Sequence, residues 1–109
     1  MQEIKAIIQP FMLSKVIEVL RATPELPGIT ISHVRGYGGT HGMDANADLL
    51  EASDKVKLEI VVPDSMVKKV TQIIAAYAHT GNMGDGKIFI YPVSDVIKIR
   101  NGERGEAAV

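Results

Sequence analysis

A β-α-β-β-α-β order, with four antiparallel strands backed by two helices, is the fold class that the sequence predicts. Three observations predict it. Residues 55–62, "KVKLEIVV", put Val56, Leu58, Ile60 and Val62 on one face and Lys55, Lys57 and Glu59 on the other, the period of a half-buried strand. Two segments carry apolar residues at helical spacing: Leu13, Val16, Ile17 and Leu20, then Val67, Val70, Ile74 and Tyr77. Short β-branched runs bounded by glycine or proline lie between and around them. The order is the double split unit of a ferredoxin-like α+β sandwich, with a long loop between strands two and three and a short extra C-terminal strand.

Taken in order, "EIKAIIQP" (3–10) is rich in isoleucine and stopped by Pro10, as a buried strand is. Ser14 is positioned to cap the first helix and Pro24 to end it. "GITISHVRGYG" (28–38) is β-branched and glycine-bounded, the second strand. Residues 39–54 have no sustained period and are rich in Gly, Asp, Asn and Ala, a loop longer than structural connections usually are and therefore expected to be flexible and functional. After the third strand, Pro63-Asp64 gives a turn and an N-cap for the second helix. A glycine loop, the strand "KIFIYPV" (87–93) and a fifth short strand "VIKIR" (96–100) complete the order. The uncovered sheet face is expected to be apolar at alternate positions and to favour self-association.

Length and composition bound the function. The 109 residues suit one domain, 1–109, with 46% apolar and 23% charged residues and a formal charge of −1. No basic run appears, which speaks against nucleic acid as a partner. With no cysteine there is no disulfide, thiolate nucleophile or zinc-thiolate site. "MQEIKAIIQPF" lacks the apolar core of a signal peptide, and no stretch approaches the ~20 apolar residues of a membrane span. A soluble, cytoplasmic protein is the expectation. Nothing supports an enzyme: there is no G-x-S-x-G and no pair of carboxylates beside a histidine. Met12, Met43, Met66 and Met83 read as filling, and Tyr37, Tyr77 and Tyr91 form no stacking platform.

The chemistry concentrates in "HTGNMGDGKIFIYPV" (79–93). The spacing G-x-x-x-x-G-K from Gly81 to Lys87 matches a P-loop, but Ile88 replaces the required Ser/Thr and a strand follows instead of a helix. The physical idea survives: glycines let backbone N–H groups converge on an anion, and Lys87 adds a charge. Lys98 and Arg100, two residues apart, would point to one face of a strand. A solvated glycine turn and a solvated edge strand are the bland alternatives. His41, beside Asp44 and Asp48 in the long loop, is a weak metal candidate.

The motif "TGNMGDGKIFIYPV", with "IKAIIQPF", "GYG", "KVKLEIVVPD" and "VIKIRNGE" in the same order, resembles the PII nitrogen-regulatory signal-transduction proteins over nearly the whole chain except 39–54. The resemblance implies a homotrimer holding ATP or ADP in clefts between subunits. Gly84, Asp85, Gly86 and Lys87 would hold phosphates, and Lys98 and Arg100 would reach them from across the interface. Gly28, Thr30, Glu59 and Val61 would surround adenine and ribose, and Gly36, Tyr37 and Gly38 would close the base of the long loop. Such proteins report nucleotide ratio, and often 2-oxoglutarate, by reshaping that loop and so regulating a partner, in some cases a membrane transporter. Departures mark a divergent, PII-like member. The loop is about four residues shorter by that comparison and has no tyrosine after Tyr37, Thr40 replaces a glutamine that helps hold magnesium and 2-oxoglutarate, and Asn82 replaces a lysine. Lys55, which would pair with a carboxylate of that effector, is present. A trimeric metal-binding or metal-tolerance protein on the same fold is the alternative reading.

Overall fold

The computed structural model describes residues 1–37 and 52–109. Its elements are strand β1 (Gln2–Ile8), a 3-10 turn (Pro10–Met12), helix α1 (Leu13–Arg21), strand β2 (Thr30–Gly36), strand β3 (Ser53–Val62), helix α2 (Asp64–Tyr77), strand β4 (Gly86–Pro92) and a last 3-10 turn (Glu106–Ala108). The four strands form one antiparallel sheet in the order β2-β3-β1-β4. The expected β-α-β-β-α-β order is therefore present.

Alternation decides which residues make the core. Ile4, Ala6 and Ile8 of β1 and Val56, Leu58, Ile60 and Val62 of β3 are buried, as are Val16 and Leu20 of α1 and Val70 and Ile74 of α2. These residues form one cluster between the sheet and the helices. β1 and β3 are central, so each gives a full row of side chains to it, whereas the outer β4 adds only the partly buried Ile88 and Ile31 of the outer β2 is exposed.

The opposite face corrects an expectation. Instead of an apolar surface it presents Glu3, Lys5, Lys57 and Glu59 along the two central strands, interleaved with Ile7 and Val61. Lys57 and Glu59 pair at 3.5 Å, and the Lys5 ammonium lies 4.8 Å from the centre of the Tyr91 ring. The residues between the buried positions of these strands are largely charged, so alternation gives this face mixed polarity.

Three local expectations also change. Ser14 does not cap α1: the helix begins at Leu13, after the Pro10–Met12 turn, and its N-cap is Met12. Asp64 is the first residue of α2, not its cap, and its carboxylate accepts hydrogen bonds from the Met1 amine at 2.9 Å and Gln2 Nε2 at 3.2 Å. The fifth strand is reduced to a single bridge between Ile97 and Arg104. There the chain turns back at once: the Lys98 N–H donates to the Glu103 carbonyl and the Gly102 N–H to the Lys98 carbonyl, both at 2.8 Å. Gly102, at φ +74°, adopts the left-handed conformation that closes the turn, and Asn101 Oδ1 accepts from the Glu103 N–H at 3.0 Å.

Candidate functional site

The residues expected around a nucleoside come together. Gly28, Thr30, Glu59 and Val61 line one cavity of about 350 Å³, with Glu3, Pro27, Val96 and Val109. Register explains the grouping. Thr30 stands opposite Glu59 across the β2–β3 pair, and Val61 opposite Glu3 across β3–β1, so all four lie on the helix-free face. The volume falls in the range of small-molecule pockets, roughly 300–1,000 Å³. The mixture is of the kind that receives an apolar ring with polar edges: a hydroxyl, two carboxylates and three valines. Glu3 and Val96 escaped the sequence reading because only the strand register and the path of the chain after β4 bring them here.

The glycine loop is built differently from the simple anion cradle expected. Asp85 organises it from within. Its Oδ2 accepts the Thr80 N–H at 2.8 Å and the Gly81 N–H at 3.0 Å, and its Oδ1 accepts the Thr80 hydroxyl. Thr80 Oγ1 in turn accepts the Asn82 N–H at 3.1 Å. His79 Nδ1 stands 3.7 Å from the same carboxylate. The Thr80 hydroxyl foremost, then the Thr80 and Gly81 N–H groups and His79, hold the Asp85 carboxyl below its ordinary value, against the opposing effect of burial. Three N–H groups at the start of the loop are thus used internally, and its end, Gly84 to Lys87, is the part left to meet a ligand.

Gly84 and Gly86 both take left-handed backbone, at φ +93° and +99°. The Gly84 carbonyl accepts a hydrogen bond from Lys55 Nζ at 2.6 Å, so the lysine expected to face an effector touches the glycine loop. Lys87, the second residue of β4, stands opposite Ile7. A strand does follow the loop, as the failed P-loop match implies.

Lys98 and Arg100 do not share the face of a strand. Lys98 Nζ pairs with Glu103 Oε2 at 3.1 Å, and Arg100 sits in the turn. Neighbouring Ile99 is 99% exposed. Arg104 Nη1 contacts Asp95 Oδ2 at 3.0 Å, while Asp95 Oδ1 accepts the N–H groups of Val96 at 2.9 Å and Gly105 at 3.1 Å, fixing the base of this hairpin. The Val96 N–H foremost, with Arg104 and the Gly105 N–H, lowers the Asp95 carboxyl, again against burial.

Gly36 ends β2 and Tyr37 follows it, 66% exposed. Gly38, Thr40 and His41 lie outside the described residues, as do Asp44 and Asp48. Among the described residues no group of three or more His, Cys, Asp or Glu side chains could hold a metal ion, and no helix is long and apolar enough to cross a membrane.

The two principal clusters lie toward opposite ends of the strands. The cavity gathers around Glu3, Glu59 and Val61, whereas Gly84 meets Lys55 and Gly86 stands opposite Ile8. Lys55 and Glu59 are separated along β3 by roughly 13 Å, at about 3.3 Å per residue. One chain does not bring its cavity and its glycine loop into one site.

Comparison with known proteins assigns the class. The family model of nitrogen regulatory protein P-II matches residues 1–103. The chain belongs to this family of nitrogen-regulatory signal-transduction proteins. It is 40% identical to a nitrogen regulatory protein P-II of Azospirillum brasilense and 42% identical to nitrogen regulatory protein P-II 1 of Escherichia coli K12, in each case over the full length of both chains. The crystal structure of Arabidopsis thaliana PII bound to citrate superposes with a TM-score of 0.83 at 42% identity, covering 99% of this chain and 91% of that one.

Proposed function

We propose that this protein is a PII-type regulator that binds ATP or ADP between the subunits of a homotrimer and controls a partner protein through the segment between β2 and β3. The observation that carries the reading is the convergence of Gly28, Thr30, Glu59 and Val61 on one cavity. Two strands and the connection before β2 supply them, and nothing in local sequence requires them to meet.

Each residue then has a physical task. Val61 and Val96 offer apolar surface to the base, while the Thr30 hydroxyl and Glu59 carboxylate offer hydrogen bonds to the polar edges of base and sugar. Gly84, Asp85 and Gly86 offer backbone N–H groups to phosphate oxygens, and the Lys87 ammonium neutralises their charge. Because the phosphate half lies toward the other end of the strands from the cavity, a neighbouring copy must bring it there. Lys98 and Arg100, on the hairpin that follows the cavity-lining Val96, add positive charge. Gly36, Tyr37 and Gly38 join this site to the segment that grips the partner, which lets nucleotide occupancy reach it. The partner is a soluble enzyme or a membrane transporter, the regulator itself stays in the cytoplasm as one folded unit, and no substrate is turned over. Mg²⁺ enters with ATP as a counter-ion of its phosphates.

The metal-binding alternative rests on His41, Asp44 and Asp48, outside the described residues, and no observation favours it. Parallel calorimetric titrations with ATP, ADP, adenosine and Zn²⁺, with light scattering for the assembly, test the reading. Saturable ATP and ADP binding by a trimer is expected. A stable monomer, or Zn²⁺ binding without nucleotide binding, overturns it.

A further inference from the structure

Three elements meet at Gly84. Lys55, near the start of β3, donates from Nζ to the Gly84 carbonyl at 2.6 Å across a sequence separation of 29 residues. Gln9, just beyond β1, brings Nε2 to 3.0 Å from the place where a Cβ on Gly84 would stand, and Lys55 Nζ lies 3.4 Å from the same point. Gly84 itself is at φ +93°. The hydrogen bonds of Asp85 tie its side chain to Thr80 and Gly81, and Gly86 pairs with Ile8, but neither holds the Gly84 carbonyl, which Lys55 does.

We propose that Lys55 is a positioning residue for the glycine loop: by holding the Gly84 carbonyl it turns the following peptide groups so that their N–H groups present one concave face to an anion. The inference rests on the reading of this loop as the phosphate half of a nucleotide site, and gives Lys55 a role that requires no contact with the nucleotide. The chemistry fits. An ammonium is a compact three-donor charge on a flexible stem, so one donor can hold the carbonyl while the charge supports a nearby anion. A hydrogen bond from a charged donor to a carbonyl is also stronger than a neutral one. The latch makes the glycine loop answer to the position of β3 as well as to its ligand.

The test uses Lys55→Met, which keeps the stem and removes the donors, and Lys55→Arg, which keeps donors and charge. Amide exchange is read first in ligand-free protein. Loss of one charge-assisted hydrogen bond should speed exchange at residues 84–87 roughly ten-fold in Lys55→Met, with Lys55→Arg recovering most of the protection and residues 80–82 unchanged in both. ATP affinity should fall in parallel, by about ten-fold in Lys55→Met and much less in Lys55→Arg. Unaltered exchange at 84–87 in Lys55→Met overturns the proposal whatever happens to ATP. Equal acceleration in both variants also overturns it, since the loop would then depend on the lysine's packing. Because exchange is measured without ligand, wild-type protein that fails to bind ATP sinks the nucleotide reading separately.

Discussion

Gly86 lies so close to Ile7 that a Cβ built on it would fall 1.7 Å from the Ile7 carbonyl oxygen. Two adjacent strands approach there without room for any side chain, and φ at Gly86 is +99°. One glycine of the motif is thus demanded by the sheet before any ligand is considered. Gly86→Ala should lower unfolding free energy by more than the ~1–2 kcal/mol of left-handed strain alone, because backbone atoms must also move. Gly84→Ala should lose only about that strain, its nearest neighbours being the movable ends of Gln9 and Lys55. Urea denaturation of the two variants reads the difference, and equal losses would contradict it.

Asp85 gives the loop a pH dependence with a definite sign. Its carboxyl is held below the ordinary value of 3.8, so the folded form favours the ionised group. The associated stabilisation is fully present above that value and is lost as pH falls through the lower, folded one. In a His79→Gln background, which removes the imidazole 3.7 Å from this carboxylate, amide resonances of Thr80 and Gly81 should therefore stay constant from neutrality down to about pH 5 and shift only in the acid range. Asp85→Asn should abolish that titration, and a transition centred above pH 5 would contradict the assignment.

Lys87→Ala and Arg100→Ala should each weaken ATP roughly ten- to a hundred-fold through loss of a charge-assisted contact. ADP should suffer similarly and adenosine hardly at all. The melting temperature of the ligand-free protein should be nearly unchanged in both, since exposed charges add little to stability. Calorimetry decides it: unchanged ATP affinity in both variants would reduce the motif to a turn.

Leu58 is fully buried at the middle of β3, between sheet and helices. Leu58→Ala should cost about 2–5 kcal/mol, the range for truncating a large core residue. Ile99→Ser, at a fully exposed position, should change the isolated chain by no more than about 0.5 kcal/mol. Denaturation midpoints compare the two, and a large loss from Ile99→Ser would show that this side chain is covered in the assembled protein.

How much could be read beforehand follows from which forces are local. The alternation of residues 55–62 exposed the central strand because a pleat imposes period two on any strand with one dry face. Helical stripes were equally plain at Val16, Leu20, Val70 and Ile74, all buried. Helix starts were not, because Ser14 and Asp64 look like caps until the turn at Pro10–Met12 and the contacts of Met1 and Gln2 are in place. "VIKIR" has the composition of a strand, yet Asn101 and Gly102 fold it back before a ladder can form. Likewise the Lys55–Gly84 contact and the inward use of Asp85 depend on three-dimensional placement that no spacing announces. The cavity residues were legible only through resemblance, since Thr30 and Glu59 become neighbours solely by strand register.

The separation of the cavity around Glu59 from the glycine loop beside Lys55 has a consequence for assembly geometry. If each cavity is completed by another copy's loop, unlike surfaces meet, which is a head-to-tail contact. Such contacts either close into a ring or continue as an open filament. In a closed ring the number of complete sites equals the number of chains, and every chain serves two sites at once, lending its loop to one neighbour while its cavity receives from the other. A ring of mixed composition, some chains damaged only in the loop and others only in the cavity, would therefore regain an intact site wherever the two undamaged halves happen to adjoin.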